Sequence, residues 1–340
     1  MNRVDILHRY GARRHYLPIE ASLGEVPNPG VEYYEFTFTT NLVRAPRNAS
    51  YLFDVLTGRR ECRPIVLGAE PYDVRLPLFR RISDNYPVVY HTSWPYWSNG
   101  PVPRKPLYSS LPDAWIDFLK TVPVVTVTTT ARDSLADRGV EATHIPHAVN
   151  VSTYSPSAGR ASDGRELLFV GRLEERKGVD LLLRLSRELD DTTVRFVGDG
   201  PMRDRIEKHS QPGNVVYEGY VSDDDRLASL YASADVFVLP SRPAETWEEL
   251  FGIVLIEAMA CGTPAVSTTC VGPADVVSAE ETGLLVEPND YGGLRNAVQR
   301  LLEDPELRRR MGERARREAE IKYALDVVSD AWLDILQSIE

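Results

Sequence analysis

Short runs of β-branched and aromatic residues alternate with helix-period segments along the 340 residues, and this alternation is what most constrains the fold. Strand, helix and strand in succession make a βαβ unit, and repeated units build open parallel sheets with helices on both faces. In the first half, strands are predicted at residues 3–7, 32–39, 64–67, 87–90, 122–128 and 143–145, with helices near 49–59, 76–82, 113–120 and 131–137. The second half starts again with a strand at 166–170 and continues at 194–197, 215–218, 236–239, 265–267 and 283–286. Helices are expected there at 179–189, 202–210, 224–233, 253–259 and 292–302, then a charged helix at 305–321.

The Ser-, Gly- and Pro-rich run 155–164 has little to pack and reads as a linker. The expected organisation is a Rossmann-like domain over residues 1–154, a linker at 155–164, a second such domain over 165–323 and a last helix at 324–340. Leu325, Val328, Trp332, Ile335 and Leu336 form one apolar stripe on that helix. Two doubly wound sheets place the expected site in the cleft between them, outside the carboxyl ends of the strands.

With 43% apolar and 26% charged residues the chain is globular in composition. No apolar run reaches the ~18 residues of a membrane-spanning helix; the best candidate, 251–266, is interrupted by Glu257 and a Cys261–Pro264 turn. Asp5 sits inside the first short apolar run, unlike a signal peptide, so a cytoplasmic location is expected. Cys62, Cys261 and Cys270 lack metal or redox spacing and read as small core side chains. The net charge of −11 is uneven: residues 1–150 hold 17 Lys and Arg against 15 Asp and Glu, leaving −13 for the remainder. An acidic second half argues against general nucleic-acid binding, while the first half leaves room for an anionic acceptor or peripheral contact with the inner face of a membrane.

Three features of the second half follow directly on predicted strands. The first is Gly171-Arg172-Leu173-Glu174-Glu175-Arg176-Lys177-Gly178. Gly171 permits close approach of backbone to phosphate, Arg172 offers a bidentate fork and Lys177 a point charge. Arg and Lys near a helix start are also common as plain surface charge. The second is Glu249-Leu250-Phe251-Gly252-Ile253-Val254-Leu255-Ile256-Glu257-Ala258-Met259-Ala260. Glu257 lies in an otherwise apolar helical run, where an unpaired carboxylate costs several kcal/mol or loses its charge. It requires partners, and ribose hydroxyls are natural ones. Glu249 and the Gly252–Ile253 amides at a helix N-terminus suit a sugar diphosphate; a capping Glu249 with a core-satisfied Glu257 is the alternative. The third, Val197-Gly198-Asp199-Gly200-Pro201, lacks the third glycine and ribose acid of a dinucleotide fingerprint and reads as a structural turn.

In order along residues 165–323, these motifs resemble glycosyltransferase family 4, retaining enzymes of the GT-B fold. Gly219-Tyr220-Val221, Leu239-Pro240-Ser241, Cys261-Gly262-Thr263-Pro264-Ala265-Val266 and Gly283-Leu284-Leu285-Val286 continue the resemblance. It implies that Arg172 and Lys177, with Gly171, hold the donor diphosphate, Glu257 the ribose and Glu249 the donor sugar. Phe251, Gly252 and Ile253 then lie near sugar and phosphate, and Val221 near the base. It further implies no metal, no cofactor beyond the nucleotide-diphosphate sugar itself, and a last helix that crosses back to the first domain. In Pro87-Val88-Val89-Tyr90-His91-Thr92-Ser93-Trp94, His91 occupies the setting in which the family places a histidine near the donor sugar.

The expected reaction is transfer of a hexose from a UDP- or GDP-linked donor to a glycan or lipid-linked acceptor. A nucleotide-sugar epimerase on the same fold, or a non-catalytic glycosyltransferase-like subunit, are the alternatives. The chain departs from the family at Ala148, where glycine is usual, and at loop 8–15, which carries the single glycine Gly11. The aromatic run Trp94-Pro95-Tyr96-Trp97 suits either sugar stacking or a core edge.

Overall fold

Two six-stranded sheets, every neighbouring pair parallel, organise the chain as two units. The computed structural model describes residues 3–8, 13–24, 30–35, 45–98, 111–158, 165–189, 191–209, 214–244 and 247–339. Most of the single-glycine loop (9–12, including Gly11), residues 36–39 of the second predicted strand and 159–164 of the predicted linker lie outside them.

The first unit comprises Met1–Ala148 and Leu325–Glu340. Its strands are β1 (Val4–His8), β2 (Val31–Glu35), β3 (Ile65–Gly68), β4 (Val88–Thr92), β5 (Val124–Thr126) and β6 (Thr143–His144), in the order β2-β1-β3-β4-β5-β6. Its helices are α1 (Leu17–Ser22), α2 (Ala45–Leu56), α3 (Leu76–Ser83), α4 (Leu111–Leu119) and α5 (Thr129–Ala136). The strands alternate with period two, so each supplies two cores. Leu7, Leu67, Val88, Tyr90 and Val124 pack with Phe79, Ile82 and Trp115 on one face. Val4, Ile6, Val66, Val89 and Val125 pack with Ile19, Val328, Trp332 and Leu336 on the other. Val328, Trp332 and Leu336 of the last helix's apolar stripe are thus buried, each contributing roughly 1.5–3 kcal/mol, while Leu325 and Ile335 are half-buried.

The second unit, Val149–Ala324, holds β7 (Arg165–Val170), β8 (Thr192–Val197), β9 (Val215–Gly219), β10 (Val236–Leu239), β11 (Ala265–Thr268) and β12 (Gly283–Val286). Helices α6 (Val179–Leu185), α7 (Arg203–His209), α8 (Asp224–Ser233), α9 (Ile253–Ala260), α10 (Val271–Val276), α11 (Tyr291–Glu303) and α12 (Pro305–Glu318) cover it. The last helix, α13 (Leu325–Gln337), returns to the first unit. The strand order β12-β11-β10-β7-β8-β9 reverses between β7 and β10. Open α/β sheets bind ligands outside the carboxyl ends of the strands at such a reversal.

The structure differs from the sequence reading in three places, and two of the differences have a physical cause on view. Residues 149–158, expected at the end of the first domain and the start of the linker, belong to the second unit. The Val149 N–H donates to the Tyr323 carbonyl at 2.8 Å, and Arg316 donates to the carbonyls of Val151 and Tyr154 at 3.1 and 2.7 Å. Helices α1 and α10 escape prediction because each is six residues long, too short to show a 3.6-residue period, and each contains proline. The helix expected at 179–189 ends at Leu185. No helix among the described residues is long and apolar enough to cross a membrane.

Candidate functional site

The loop from Gly171 to Gly178 joins β7 to α6 at the strand-order reversal, and its shape is fixed by backbone contacts that only glycine allows. A Cβ on Gly198, at φ 136°, would lie 1.9 Å from the Gly171 carbonyl oxygen. The turn after β8 therefore abuts the loop, and Leu173 N–H donates to the Asp199 carbonyl at 2.9 Å. The Val-Gly-Asp-Gly-Pro turn is thus a brace for the loop. At the other end Gly178 is left-handed at φ 76°, and a Cβ there would stand 2.4 Å from the Pro240 carbonyl oxygen beyond β10. Arg242 closes the brace, its N–H donating to the Arg176 carbonyl at 2.9 Å and its Nε to the Glu175 carbonyl at 3.0 Å.

This frame delivers Lys177 to Glu249. The Lys177 Nζ pairs with Glu249 Oε2, with both side chains largely buried. Ser241, fully buried just past β10, donates its hydroxyl to the same Oε2 at 3.1 Å. The Trp247 ring lies over both cations of the turn, 4.5 Å from the Arg176 guanidinium carbon and 5.0 Å from Lys177 Nζ. Arg172 has its side chain 68% exposed and pairs with Glu174, which also pairs with Arg176. It is the cation of the loop that most readily swings toward a ligand. Sequence reasoning missed Ser241 and Trp247 as members of the site; their place just beyond β10, at the reversal, is the signal that finds them.

Glu249 leads into α9 through Phe251 and Gly252. Gly252 caps the helix at φ 85°, with no side-chain hydrogen bond to its first turn. The Leu255 N–H donates back to the Gly252 carbonyl at 2.8 Å, and the amides before it, at Gly252 and Ile253, belong to the open end of the helix, where backbone N–H groups lack intrahelical partners. Phe251 is buried, its ring edge-on to Tyr323 at 6.1 Å, and Ile253 is half-buried as the first helical residue. Gly272 N–H donates to the Glu249 carbonyl at 2.9 Å, which fixes the approach to the helix.

Glu257 stands about one turn into α9, 4% exposed, and has a protein donor: the Tyr231 hydroxyl at 2.8 Å. Part of the satisfaction that the sequence reading assigned to ribose is therefore supplied from α8. Burial, reinforced by the Glu257 charge, holds the Tyr231 hydroxyl well above its usual pKa, and burial pushes the nearby Cys261 thiol up to about 12. Both stay protonated at neutral pH. Val221 is half-buried just past β9, at the sheet edge, beside the 76% exposed Tyr220. Gly171, Arg172, Lys177 and Glu249 thus gather at the reversal, Glu257 lies deeper against α8, and Val221 stands two strands away.

His91 belongs to the first unit and stands at the C-terminal end of β4, one residue before its last, where it is buried. It is 8% exposed, with Nδ1 3.2 Å from the Tyr16 hydroxyl. Its ring meets Trp332 and His147 edge-on at centroid distances of 5.3 and 6.1 Å, and His147 stacks at a tilt 4.5 Å from His15. The strand continues through Thr92, so Val89 and His91 share the face that α13 covers. Burial, with His15 and His8 adding to it, lowers the His91 pKa to about 3; burial likewise lowers His15 to about 4 and holds His147 well below its usual value. Trp97 is also core rather than an exposed stacking platform. Among the described residues no group of three or more His, Cys, Asp or Glu is arranged to hold a metal ion.

Two doubly wound parallel sheets flanked by helices define a pair of Rossmann-like α/β units. Residues 151–318, which lie in the second unit, match the family model described as glycosyl transferases group 1. Sulfoquinovosyl transferase SQD2 of Arabidopsis thaliana is 34% identical over 160 residues, 46% of this chain and 30% of that protein. Phosphatidyl-myo-inositol mannosyltransferase of Mycobacterium leprae is 34% identical over 213 residues, 59% of this chain and 54% of that protein. The chain therefore spans about a third to a half of the length of these curated relatives. Anabaena HepE in complex with UDP aligns at a TM-score of 0.76 and 18% identity, covering 99% of this chain and 100% of that one. At that identity the likeness is one of fold, and the fold is GT-B.

Proposed function

We propose that this chain is a retaining hexosyltransferase of glycosyltransferase family 4, moving a hexose from a UDP- or GDP-linked donor to a glycan or lipid-linked acceptor without a metal. The observation that carries the reading is the Lys177–Glu249–Ser241 cluster beside the side-chain-uncapped start of α9, at the strand-order reversal. Cations and free amides suit a diphosphate, and an adjacent carboxylate suits sugar hydroxyls. In this reading Arg172, Lys177 and the amides of Gly252 and Ile253 hold the diphosphate, with Gly171, whose own N–H donates to the Val197 carbonyl, letting the loop approach it and Phe251 seating the turn beside it. Glu249 meets the sugar, Glu257 the ribose and Val221 the base.

The bond from the anomeric carbon to the terminal phosphate oxygen breaks, one to an acceptor oxygen forms, and the acceptor proton passes to the departing diphosphate or water. Charge developing on that leaving group is what Arg172 and Lys177 stabilise. UDP complexes of the HepE neighbour support a UDP-linked donor as the first to test, and the mannosyltransferase relative supports a lipid-linked acceptor. His91, with a neutral ring in the first-unit core, serves as a packing residue rather than a proton carrier. The experiment follows UDP-glucose and GDP-mannose separately, with and without sugar and glycolipid acceptors. Free diphosphate together with a new glycoside supports transfer. An isomerised sugar still joined to its nucleotide supports an epimerase instead, and no turnover or binding supports a non-catalytic subunit.

A further inference from the structure

Resting on that reading, we infer that Ser241 is a positioning residue for Glu249, fixing how its carboxylate meets the donor sugar. Two donors, the Ser241 hydroxyl and the Lys177 ammonium, converge on Glu249 Oε2. Among the described residues none meets Oε1. A carboxylate held through one oxygen keeps its plane fixed and presents the other as an acceptor, which is the geometry a sugar hydroxyl needs.

Ser241 can hold it there because its own backbone is tied down. The Ser241 carbonyl accepts from the Thr268 hydroxyl at 2.6 Å and from the Cys270 thiol at 3.4 Å. One residue pair earlier, the Ser267 hydroxyl donates to the Leu239 carbonyl at 2.7 Å. Three side chains from β11 and the turn after it therefore lace the segment 239–241 in place. Ser241 is completely buried and its one proton goes to Glu249. Lys177 leaves this oxygen when it turns to a phosphate; Ser241, with no room to move, keeps the carboxylate aimed after the cation has gone.

The test titrates wild type, Ser241→Ala and Ser241→Thr with UDP, UDP-glucose, GDP and GDP-mannose by calorimetry. The quantity read is the affinity added by the sugar, the ratio of each sugar nucleotide to its parent diphosphate. Ser241→Ala is expected to leave diphosphate affinity within about twofold and to cut that ratio about tenfold, the effect of one hydrogen bond to a charged group. Ser241→Thr, which keeps the hydroxyl, is expected to restore it. Equal loss for diphosphate and sugar nucleotide, or an unchanged ratio in Ser241→Ala, overturns the inference alone. A wild type that binds none of the four ligands overturns the donor-site reading and this inference with it. If Ser241→Ala does not fold, Ser241→Cys is titrated in its place under the same criteria.

Discussion

Replacing Lys177 by Ala separates a phosphate-binding cation from a merely structural one. The Lys177 side chain is 17% exposed, so its ammonium meets a ligand in partly desolvated surroundings. A hydrogen bond from a cation to a phosphate oxygen is worth roughly 1.5–3 kcal/mol there, or about 10- to 150-fold in affinity. Part of that gain offsets breaking the contact with Glu249, which places the expected loss of UDP affinity toward the lower end, about tenfold. Uridine has no phosphate, so its affinity should change by less than about twofold. The ligand-free protein should also lose roughly 1–3 kcal/mol, because among the described residues Glu249 then keeps only the Ser241 donor in a buried position. Calorimetric titration with UDP and with uridine reads the first effect, and urea denaturation reads the second. Equal losses for UDP and uridine would refute the assignment of Lys177 to phosphate.

Glu249→Gln should keep UDP affinity at or above the wild-type level, since it releases Lys177, while abolishing turnover; a collapse in UDP affinity contradicts a role at the sugar. Tyr231→Phe removes the donor to buried Glu257 and should cost about 1–3 kcal/mol in urea denaturation, with loss below about 0.5 kcal/mol counting against that hydrogen bond. Gly178→Ala drives a Cβ into Pro240 from a left-handed backbone, so stability should fall by at least about 2 kcal/mol and UDP binding with it; wild-type behaviour contradicts the tight approach of loop and strand end. His91 has its folded pKa lowered to about 3, so the folded state binds fewer protons than the unfolded chain below pH 6.5. Its contribution is present above pH 6.5 and is lost as pH falls toward 3, up to roughly 5 kcal/mol. Melting between pH 7.5 and 4 should show that loss, and His91→Gln should flatten the slope; equal slopes contradict it.

The strands were legible because their signal is local. All twelve coincide with predicted runs, since a β-branched run between turn residues needs no distant partner to be recognised. The motif loops were legible for the same reason: Gly171, Lys177, Glu249 and Gly252 sit at strand and helix ends that the alternation already marks. What remained hidden depends on long-range contact. Ser241 and Lys177 are 64 positions apart in sequence yet share one oxygen of Glu249, and nothing local marks that meeting. Trp247 reads as a loop aromatic until its ring is seen over Arg176 and Lys177. His91 shows both sides: its place at the end of β4 was legible, but its contact with Trp332, more than two hundred residues later, was not. The boundary at Val149 was missed because its partner is Tyr323.

Calorimetric titration of the wild-type chain with UDP, GDP and UDP-glucose, with and without magnesium, tests the central claim most directly. The account predicts saturable binding of one diphosphate series without added metal, weakened about tenfold or more when Arg172 and Lys177 are both replaced by Ala. Absence of binding by every diphosphate, or binding that the double replacement leaves unchanged, would contradict a donor site at the β7–β10 reversal.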